Sequence, residues 1–239
     1  MRNIEQLAKT VEIYKNIIVQ KSFKSKKNSV GYVTIDGKPR VLKWFYPGFK
    51  HQMENEYKIL KKAKSELKIP FPYDIDTDNN VLITSYIMGE NLCDIINDDK
   101  CRISEKERLM MLLAKWYAKF HNHFRFDDEF IIRGDSNLRN FIFTDQIWGV
   151  DFEESRVGKP VEDISRMCSS ILTTDPMFTS EKFQLCKIFI KSYLENVKWN
   201  LDNINDEISY SLLEKIQWRP DDEEILRKYS NKIKKERLV

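Results

Sequence analysis

The feature that most constrains this chain is a set of polar residues inserted into two apolar runs between residues 131 and 155. The segment reads IIRGDSNLRNFIFTDQIWGVDFEES. Asp135, Asn140 and Asp151 stand on or beside two consecutive β-prone runs that a short polar turn joins. Carboxylate and amide oxygens are the donors that Mg²⁺ prefers in proteins. The pattern therefore predicts a β-hairpin whose polar residues converge on bound metal ions.

The composition predicts an ordered globular protein. Hydrophobic residues make up 41% of the 239 positions and aromatic residues 12%, which is enough apolar surface to offset the entropy cost of ordering the chain. The formal net charge of +3 does not indicate a nucleic-acid-binding protein, and nothing indicates an oligomeric state. No run approaches the roughly 18 apolar residues of a membrane span, and no signal peptide is recognisable. With four widely spaced cysteines that favour free thiols, we expect a cytoplasmic protein.

Residues 1–88 are predicted to form an N-terminal nucleotide-binding lobe around an antiparallel sheet. Alternating apolar residues predict the strands, and Asp36-Gly37 predicts a tight hairpin turn between the second and third. Pro70 and Pro72 are interpreted as a break in the chain. The predicted elements are helices at 4–15 and 51–67 and strands at 17–23, 30–35, 39–45 and 81–87.

Residues 89–239 are predicted to form a mainly helical C-terminal lobe that carries the catalytic and acceptor-binding groups. A long helix over 103–124 is expected to begin with a Ser-x-x-Glu cap at Ser104 and Glu107. The predicted hairpin follows it, and a lysine-rich helical tail ends the chain. Three further helical segments are expected near 161–173, 180–199 and 203–217.

Lys43 lies in the run VLKWF, where alternation places it on the same side of a strand as Val41. An inward-facing ammonium is costly unless it is paired, and the following helix offers Glu56 as a partner. A second interpretation stays open, in which Lys43 belongs to an edge strand and faces the solvent.

Five polar residues occur in the order that is typical of protein kinases. They are Lys43 in a strand, Glu56 in the next helix, Asp135 and Asn140 in an Asp-x4-Asn loop, and Asp151 in Asp-Phe-Glu. The Asp-x4-Asn pattern alone is a weak signal, since both residue types are common in turns. The complete set indicates phosphoryl transfer, in which a carboxylate receives the acceptor proton and hard oxygen donors hold Mg²⁺.

The chain resembles the aminoglycoside phosphotransferase and choline kinase-like superfamily, the small atypical kinases. The similarity runs from about Val30 to Met167 and includes RGDSNLRN, VDFEES and a Gly-x-Pro-x-x-Asp segment formed by Gly158, Pro160 and Asp163. It implies an α+β protein with a bilobal protein-kinase-like fold. In that fold a small antiparallel-sheet N-lobe with one helix precedes a larger, mostly helical C-lobe.

The resemblance also implies a role for each matching residue. Asp135 would be the catalytic base, and Asn140 and Asp151 would be ligands of Mg²⁺. Lys43, positioned by Glu56, would contact the α- and β-phosphates of ATP. The adenine would bind the backbone of the hinge and lie against apolar walls. The hinge residues are Ser85, Tyr86 and Ile87, and the walls are Val41, Ile142 and Val150.

Three positions depart from the family pattern. The glycine-rich loop is absent, and KSFKSKKNSVG stands in its place, where Lys24, Lys26 and Lys27 would either add positive charge or form a solvated basic turn. Arg133 stands where the family usually has histidine, and we expect it to hold the loop by hydrogen bonds. Glu153 replaces the glycine of Asp-Phe-Gly, as it does in choline kinase-like members.

Arg139 precedes the predicted metal ligand Asn140, and two roles are open for it. Its forked, permanently charged guanidinium would stabilise the transferring phosphoryl group, which would make it catalytic. Alternatively, it would form a salt bridge with Glu153 or Glu154.

The short segment between Asp151 and Asp163 has no room for the activation loop with which protein kinases dock a peptide. We therefore expect a phosphotransferase that moves the γ-phosphate of ATP to a hydroxyl of a small molecule. One alternative is a minimal atypical Ser/Thr protein kinase or ATPase that resembles RIO kinases or the small kinase of the tRNA threonylcarbamoyl machinery. Another is a nucleotide-binding pseudokinase scaffold. The sequence does not identify the acceptor.

Overall fold

A computed structural model describes residues 3–23, 28–63 and 65–238, and the chain forms two compact units. Unit 1 contains Met1–Ala63, Ile69–Met88 and Val150–Glu154, and unit 2 contains Lys64–Lys68, Gly89–Gly149 and Ser155–Val239. The chain therefore passes from unit 1 to unit 2 after Met88 and returns to unit 1 for the short segment that carries Asp151. The sequence did not predict that return.

Unit 1 is built on a five-stranded antiparallel sheet with the strand order β1-β2-β3-β5-β4. The strands are β1 Ile18–Phe23, β2 Asn28–Ile35, β3 Lys38–Phe45, β4 Pro72–Asp76 and β5 Val81–Ser85. Asp36 and Gly37 join β2 to β3 with φ angles of 49° and 72°, the left-handed backbone that a two-residue hairpin turn requires. The predicted hairpin is confirmed, and β3 lies at the centre of the sheet.

Two helices, α1 (Ile4–Thr10) and α2 (Lys50–Lys62), belong to unit 1. The leading helix is shorter than predicted because Val11 adopts an extended backbone, with φ −116° and ψ 113°. Apolar residues of α1 pack with those of the strands. This core contains Ile4, Leu7, Tyr14, Val33, Leu42, Trp44, Val81 and Ile83.

Strand β4 was not predicted, because its prolines were interpreted as a break. Pro72 begins a strand at the edge of the sheet, where the missing backbone N–H removes no ladder hydrogen bond. The strand is tied to the N-terminal segment at its other end, where the Tyr14 hydroxyl donates to Asp76 Oδ2 at 2.7 Å.

Unit 2 is mostly helical. Its helices are α3 Leu92–Asn97, α4 Ile103–His123, α5 Pro160–Leu172, α6 Ser180–Leu194, α7 Ile204–Glu214 and α8 Glu223–Glu236. The predicted cap at Ser104 is wrong, because α4 begins at Ile103 after Arg102 and Ser104 already lies inside the first turn. Across the described part of the chain, every helix is too short or too polar to cross a bilayer.

Two small antiparallel sheets complete unit 2, with the orders β10-β9-β6 and β11-β8-β7. Their strands are β6 Glu90–Asn91, β7 Arg125–Phe126, β8 Glu129–Ile132, β9 Phe141–Phe143, β10 Ile147–Gly149 and β11 Arg156–Gly158. Strands β9 and β10 pair with Phe141 opposite Gly149. The hairpin predicted from the two apolar runs is confirmed.

The C-terminal helices depart from the predicted bounds. Helix α6 ends at Leu194, five residues before the predicted end, and a turn follows it. The lysine-rich tail forms α8, which buries Leu226 and Ile233 while its lysines stay on the exposed face. Ser209 in α7 and Ser230 in α8 share a buried hydrogen bond of 2.7 Å. The tail is therefore an integral part of unit 2.

We predict that Gly149→Ala destabilises the protein by about 2 kcal/mol, the usual cost of overpacking a core. A Cβ at this position would stand 2.7 Å from Cη2 of Trp116 and 2.8 Å from Nη1 of Arg133, both buried. Urea unfolding followed by tryptophan fluorescence measures the effect. Gly48→Ala is the matched control, since a Cβ there meets nothing within 4 Å, and equal stability of the two variants would contradict the prediction.

Candidate active site

Lys43 lies in β3, the central strand of unit 1, and its side chain is buried among carboxylates. The residue is 8% exposed, which confirms the inward orientation over the solvent-facing alternative. Its ammonium lies 2.9 Å from Glu56 Oε2, in α2. It also lies 2.6 Å from Asp151 Oδ1 and 2.6 Å from Glu153 Oε2. The Lys43–Glu56 ion pair is therefore present, and two more carboxylates join it.

Hydrogen bonds fix the segment 151–153 to the rest of unit 1. The backbone N–H of Phe152 donates to Glu56 Oε1 at 3.2 Å. Asn28, the first residue of β2, donates its side-chain amide to Glu153 Oε2 at 2.7 Å. Asn55 in α2 donates to the backbone carbonyl of Glu153 at 3.1 Å. These bonds hold the carboxylates of this segment against the lysine.

The charged groups of this cluster shift one another's pKa values. Burial acts to lower the pKa of Lys43, but Asp151, Glu56 and Glu153 together raise it well above its ordinary value. Burial raises the pKa of Glu56, and the Lys43 ammonium opposes that effect. Three carboxylates thus converge on one place that is partly shielded from water.

The same carboxylates have the chemistry of a divalent-metal site. One oxygen from each of Glu56, Asp151 and Glu153 lies within 4.8 Å of the others. Hard oxygen donors with excess negative charge are what Mg²⁺ requires. Asp151 has a φ of 65°, a conformation that is uncommon outside glycine and that is concentrated at functional sites. The residues of unit 1 therefore fit a bound Mg²⁺.

In unit 2, the loop before β9 carries the predicted catalytic residues. Asp135 is exposed, and its carboxylate accepts hydrogen bonds from the side-chain amides of Asn137 at 3.0 Å and Asn140 at 3.1 Å. The Asn140 amide also lies 3.2 Å from the Asp135 carbonyl. Two amides therefore orient a carboxylate that is still open to an incoming hydroxyl, as a general base requires.

Asp163, a fully buried carboxylate in α5, anchors this loop. It accepts hydrogen bonds from the backbone N–H groups of Arg133 at 2.7 Å and Gly134 at 3.1 Å, and from the Ser136 hydroxyl at 2.8 Å. His121 Nε2 lies 3.1 Å away. Burial acts to raise the pKa of Asp163, but His121 and the hydrogen bonds from Arg133 and Ser136 lower it below its ordinary value. The ionised carboxylate of Asp163 thus holds the loop in place through these hydrogen bonds.

His121 extends this network through the helices of unit 2. Its Nδ1 lies 2.8 Å from the hydroxyl of Tyr193, which accepts a hydrogen bond from Trp199 Nε1 at 3.1 Å. Because Asp163 is ionised, the ring proton is assigned to Nε2, and Tyr193 then donates to Nδ1. Asp163 is therefore held in place by both the loop and the helical core.

The predicted hinge follows β5 in unit 1. The backbone N–H of Ser85 donates to the Phe71 carbonyl at 2.9 Å, so this donor is already engaged. The Tyr86 ring stacks on Tyr32 at a centroid distance of 4.1 Å. Within the described ranges, the Ile87 backbone N–H has no hydrogen-bond partner and is open to a nucleobase. Of the predicted apolar walls, all partly buried, Val41 and Val150 belong to unit 1 and Ile142 to unit 2.

Two other predictions receive less support from the geometry. Arg139 is exposed, and its backbone carbonyl accepts a hydrogen bond from Asn91 at 2.8 Å, so its catalytic role stays a prediction. Lys24, Lys26 and Lys27, the substitute for a glycine-rich loop, lie outside the described residues.

Three solved structures are similar to this chain over about nine-tenths of its length. A putative aminoglycoside phosphotransferase from Ralstonia eutropha JMP134 has a TM-score of 0.65 at 14% identity and covers 90% of each chain. APH(2″)-IIa, in a ternary complex with streptomycin and ATP, has a TM-score of 0.61 at 13% identity and covers 90% of each chain. The amicoumacin kinase hAmiN, in complex with AMP-PNP and Ca²⁺, has a TM-score of 0.63 at 12% identity and covers 93% of this chain and 89% of its own. The chain has the fold of the aminoglycoside phosphotransferases.

This likeness confirms the resemblance that the motifs predicted and the α+β fold class. The structural neighbours are phosphotransferases and kinases. No protein-family model matches the chain. Among curated proteins, the KEOPS complex subunit Bud32 of Pyrococcus abyssi is 25% identical over 105 residues, which are 43% of this chain and 44% of that protein. The match thus spans less than half of that relative.

The sequence did not indicate several residues that hold the Lys43 cluster and the Asp135 loop in place. Asn28 and His121 belong to no motif, and their partners Glu153 and Asp163 are 125 and 42 residues away in the chain. Glu153 was noted as a replacement for glycine and as an alternative salt-bridge partner of Arg139. Its position two residues after Asp151 was the available signal that it would join the same cluster.

We predict that Asp163→Asn lowers the free energy of unfolding by about 3 kcal/mol at neutral pH, because its amide would face the loop N–H groups as a donor. The folded pKa of Asp163 is lowered, so this stabilisation is fully present above about pH 4 and is lost as the pH falls through the lowered pKa. The difference from wild type should therefore shrink in acid.

Urea unfolding at neutral and acidic pH measures this difference. Asp202→Asn, at an exposed aspartate of the same unit, is the matched control and should match wild type at each pH. Wild-type stability of Asp163→Asn at neutral pH would contradict the prediction.

Proposed function

We propose that this chain is an ATP- and Mg²⁺-dependent phosphotransferase that moves the γ-phosphate to a hydroxyl of a small molecule. The observation that carries the proposal is the buried Lys43 with its three carboxylates, one of which is the Asp151 of Asp-Phe-Glu. Supporting it, neighbours with this fold were solved with ATP or AMP-PNP bound.

Most of the proposed nucleotide-binding residues lie in unit 1. Lys43 would pair with the α- and β-phosphate oxygens while Glu56 keeps its ammonium in position. The hinge from Ser85 to Ile87 would bind the adenine through its backbone. Val41, Val150 and Ile142 would supply apolar contacts to the base.

Asp151 and Asn140 are the proposed ligands of Mg²⁺, and the convergence of three carboxylates within 4.8 Å supports the use of a divalent cation. When bound, the metal neutralises charge on the phosphates and on the transferring group. Glu153 adds a carboxylate to the cluster and accepts the amide of Asn28. Arg139 is proposed to stabilise the negative charge of the phosphoryl group during transfer.

Asp135 is proposed as the general base. Held by Asn137 and Asn140, its carboxylate would accept the proton of the acceptor hydroxyl as the oxygen attacks the γ-phosphorus. A bond then forms between the acceptor oxygen and that phosphorus. The bond from the phosphorus to the bridging oxygen breaks, and ADP leaves with its electron pair. Asp163 holds the loop that carries Asp135 in position for this step.

A protein acceptor is the second candidate, and the partial match to Bud32 favours it. The segment after Asp151 argues for the small molecule, because only β11 and a short connection separate it from α5. Such a segment cannot form the platform on which protein kinases bind an extended peptide. The four cysteines are free thiols, which supports a reducing cytoplasm as the location.

We predict that Asp135→Asn lowers the rate of phosphoryl transfer by about 10²- to 10⁴-fold while leaving nucleotide binding intact, because only the proton acceptor is lost. Asp151→Asn should abolish transfer and also weaken Mg²⁺-dependent ATP binding, since a metal ligand is lost. Labelled ATP, Mg²⁺ and a pooled metabolite extract measure transfer, and calorimetry measures binding. Asp99→Asn, at an exposed aspartate of unit 2, is the control and should retain full activity.

The labelling results distinguish the small-molecule phosphotransferase from a protein kinase and from a pseudokinase. A labelled small product that both variants fail to form would support the proposed function. Label that appears on protein alone would favour the protein-kinase alternative. Nucleotide binding without transfer to any acceptor would indicate a pseudokinase and refute the proposal.

A further inference from the structure

Positive charge lies next to the catalytic loop of unit 2. Arg166 in α5 donates from Nη1 to the carbonyl of Gly134 at 2.7 Å, directly before Asp135. Its Nη2 pairs with Glu214, the last residue of α7, at 3.1 Å. The chain then enters a 3-10 turn, Lys215–Gln217. The ion pair therefore ties this turn to the loop that carries the proposed base.

Arg219 follows the same turn and already has protein partners. Its Nη1 donates to the Thr173 carbonyl at 2.7 Å and lies 3.7 Å from Asp222 Oδ2. Arg166 is likewise paired. Lys215 differs from both, because its ammonium makes neither an ion pair nor a hydrogen bond with any part of the chain that the structure describes.

The ammonium of Lys215 lies in a partly desolvated place, and no carboxylate of the described residues is bound to it. The side chain is partly buried. Burial, followed by the nearby guanidinium of Arg219, lowers the pKa of Lys215 to about 8, with Asp135 acting in the opposite direction and Arg166 adding to the decrease. The guanidinium groups of Arg166 and Arg219 are paired with Glu214 and Asp222, whereas a partly buried ammonium without a partner is costly unless an anion approaches it. Asp135 offsets only part of this cost, and its carboxylate is assigned to the acceptor hydroxyl.

We propose that Lys215 binds an anionic group of the acceptor, a phosphate or a carboxylate, while Asp135 receives the proton of the acceptor hydroxyl. This inference rests on the proposed phosphotransferase function and narrows its substrate to anionic hydroxyl compounds. An ammonium donates strong, charge-assisted hydrogen bonds to phosphate and carboxylate oxygens.

The same charges disfavour cationic acceptors. Streptomycin and gentamicin are bound in structures of APH(2″)-IIa, and both compounds are polycations at neutral pH. The Lys215 ammonium would repel such a molecule near Asp135, since like charges brought together across an interface are strongly unfavourable. The acceptor chemistry of this chain therefore differs from that of those neighbours.

The first test needs neither an acceptor nor catalysis. Wild-type protein is treated with an amine-reactive acylating reagent in millimolar inorganic phosphate or in chloride of equal ionic strength, and each lysine is followed by peptide mass spectrometry. Phosphate should slow acylation of Lys215 several-fold and leave Lys198, an exposed lysine of the same unit, unchanged. Equal acylation of Lys215 in both salts would overturn the anion site.

The second test identifies the charge of the acceptor. A metabolite extract is divided on an anion-exchange resin, and the retained and unretained fractions are assayed separately with labelled ATP and Mg²⁺. The retained fraction should contain the acceptor. Lys215→Ala should then lower kcat/KM about 10- to 100-fold, mainly through KM, the usual loss for a charge-assisted hydrogen bond. Lys215→Arg should retain most of the activity, and Lys198→Ala should match wild type.

Failure of the anionic-acceptor inference gives a different result from failure of the proposed phosphotransferase function. Transfer only to compounds of the unretained fraction would leave the proposed function standing and overturn this inference. Equal loss of activity with retained and unretained acceptors in Lys215→Ala would also overturn it, since a general structural defect would explain that result. No transfer to either fraction would refute the proposed function and, with it, the assignment of the anion to an acceptor.

Discussion

The burial of the Lys43 ammonium among three carboxylates is the interaction on which the candidate site in unit 1 depends. A buried charge is tolerated only while its partners are in place, and removing one partner leaves an uncompensated charge that is strongly destabilising. The partners come from α2 and from the segment 150–154, which returns to unit 1 from far along the chain. The sheet, the helix and this segment must therefore assemble together before the cluster exists.

The proposed ligand sites of the two units differ in the groups that they offer. In unit 1, the carboxylates of Glu56, Asp151 and Glu153 lie within 4.8 Å of one another, which suits a divalent cation. In unit 2, Arg166 and Arg219 are paired with Glu214 and Asp222, and Lys215 is left as the cation that is proposed to bind an anionic acceptor.

The sequence predicted the parts of the site that are encoded locally. Lys43, Glu56, Asp135 and Asn140 stand in short motifs whose spacing reflects one strand, one helix or one loop. Glu153 and His121 were not assigned roles, because their contacts join residues that are distant in the chain and that only the packed fold brings together. Strand β4 was missed for the same reason, because its place at the sheet edge depends on the packed fold. Pro70 and Pro72 are typical of a break in the chain, but Pro72 is the first residue of this strand. Lys215 lies in no motif, and its environment depends on the packing of α5 against α7.

Asp163 holds the loop that carries Asp135 through the backbone N–H groups of residues 133 and 134, not through their side chains. Every amino acid except proline supplies such a group, so these hydrogen bonds do not themselves require an arginine at position 133. In this chain the arginine side chain packs over the rings of Trp116 and Phe141, at 5.4 and 4.7 Å from their centroids. The Arg133 side chain thus belongs to the core behind the loop, and its backbone N–H belongs to the anchor of the loop itself.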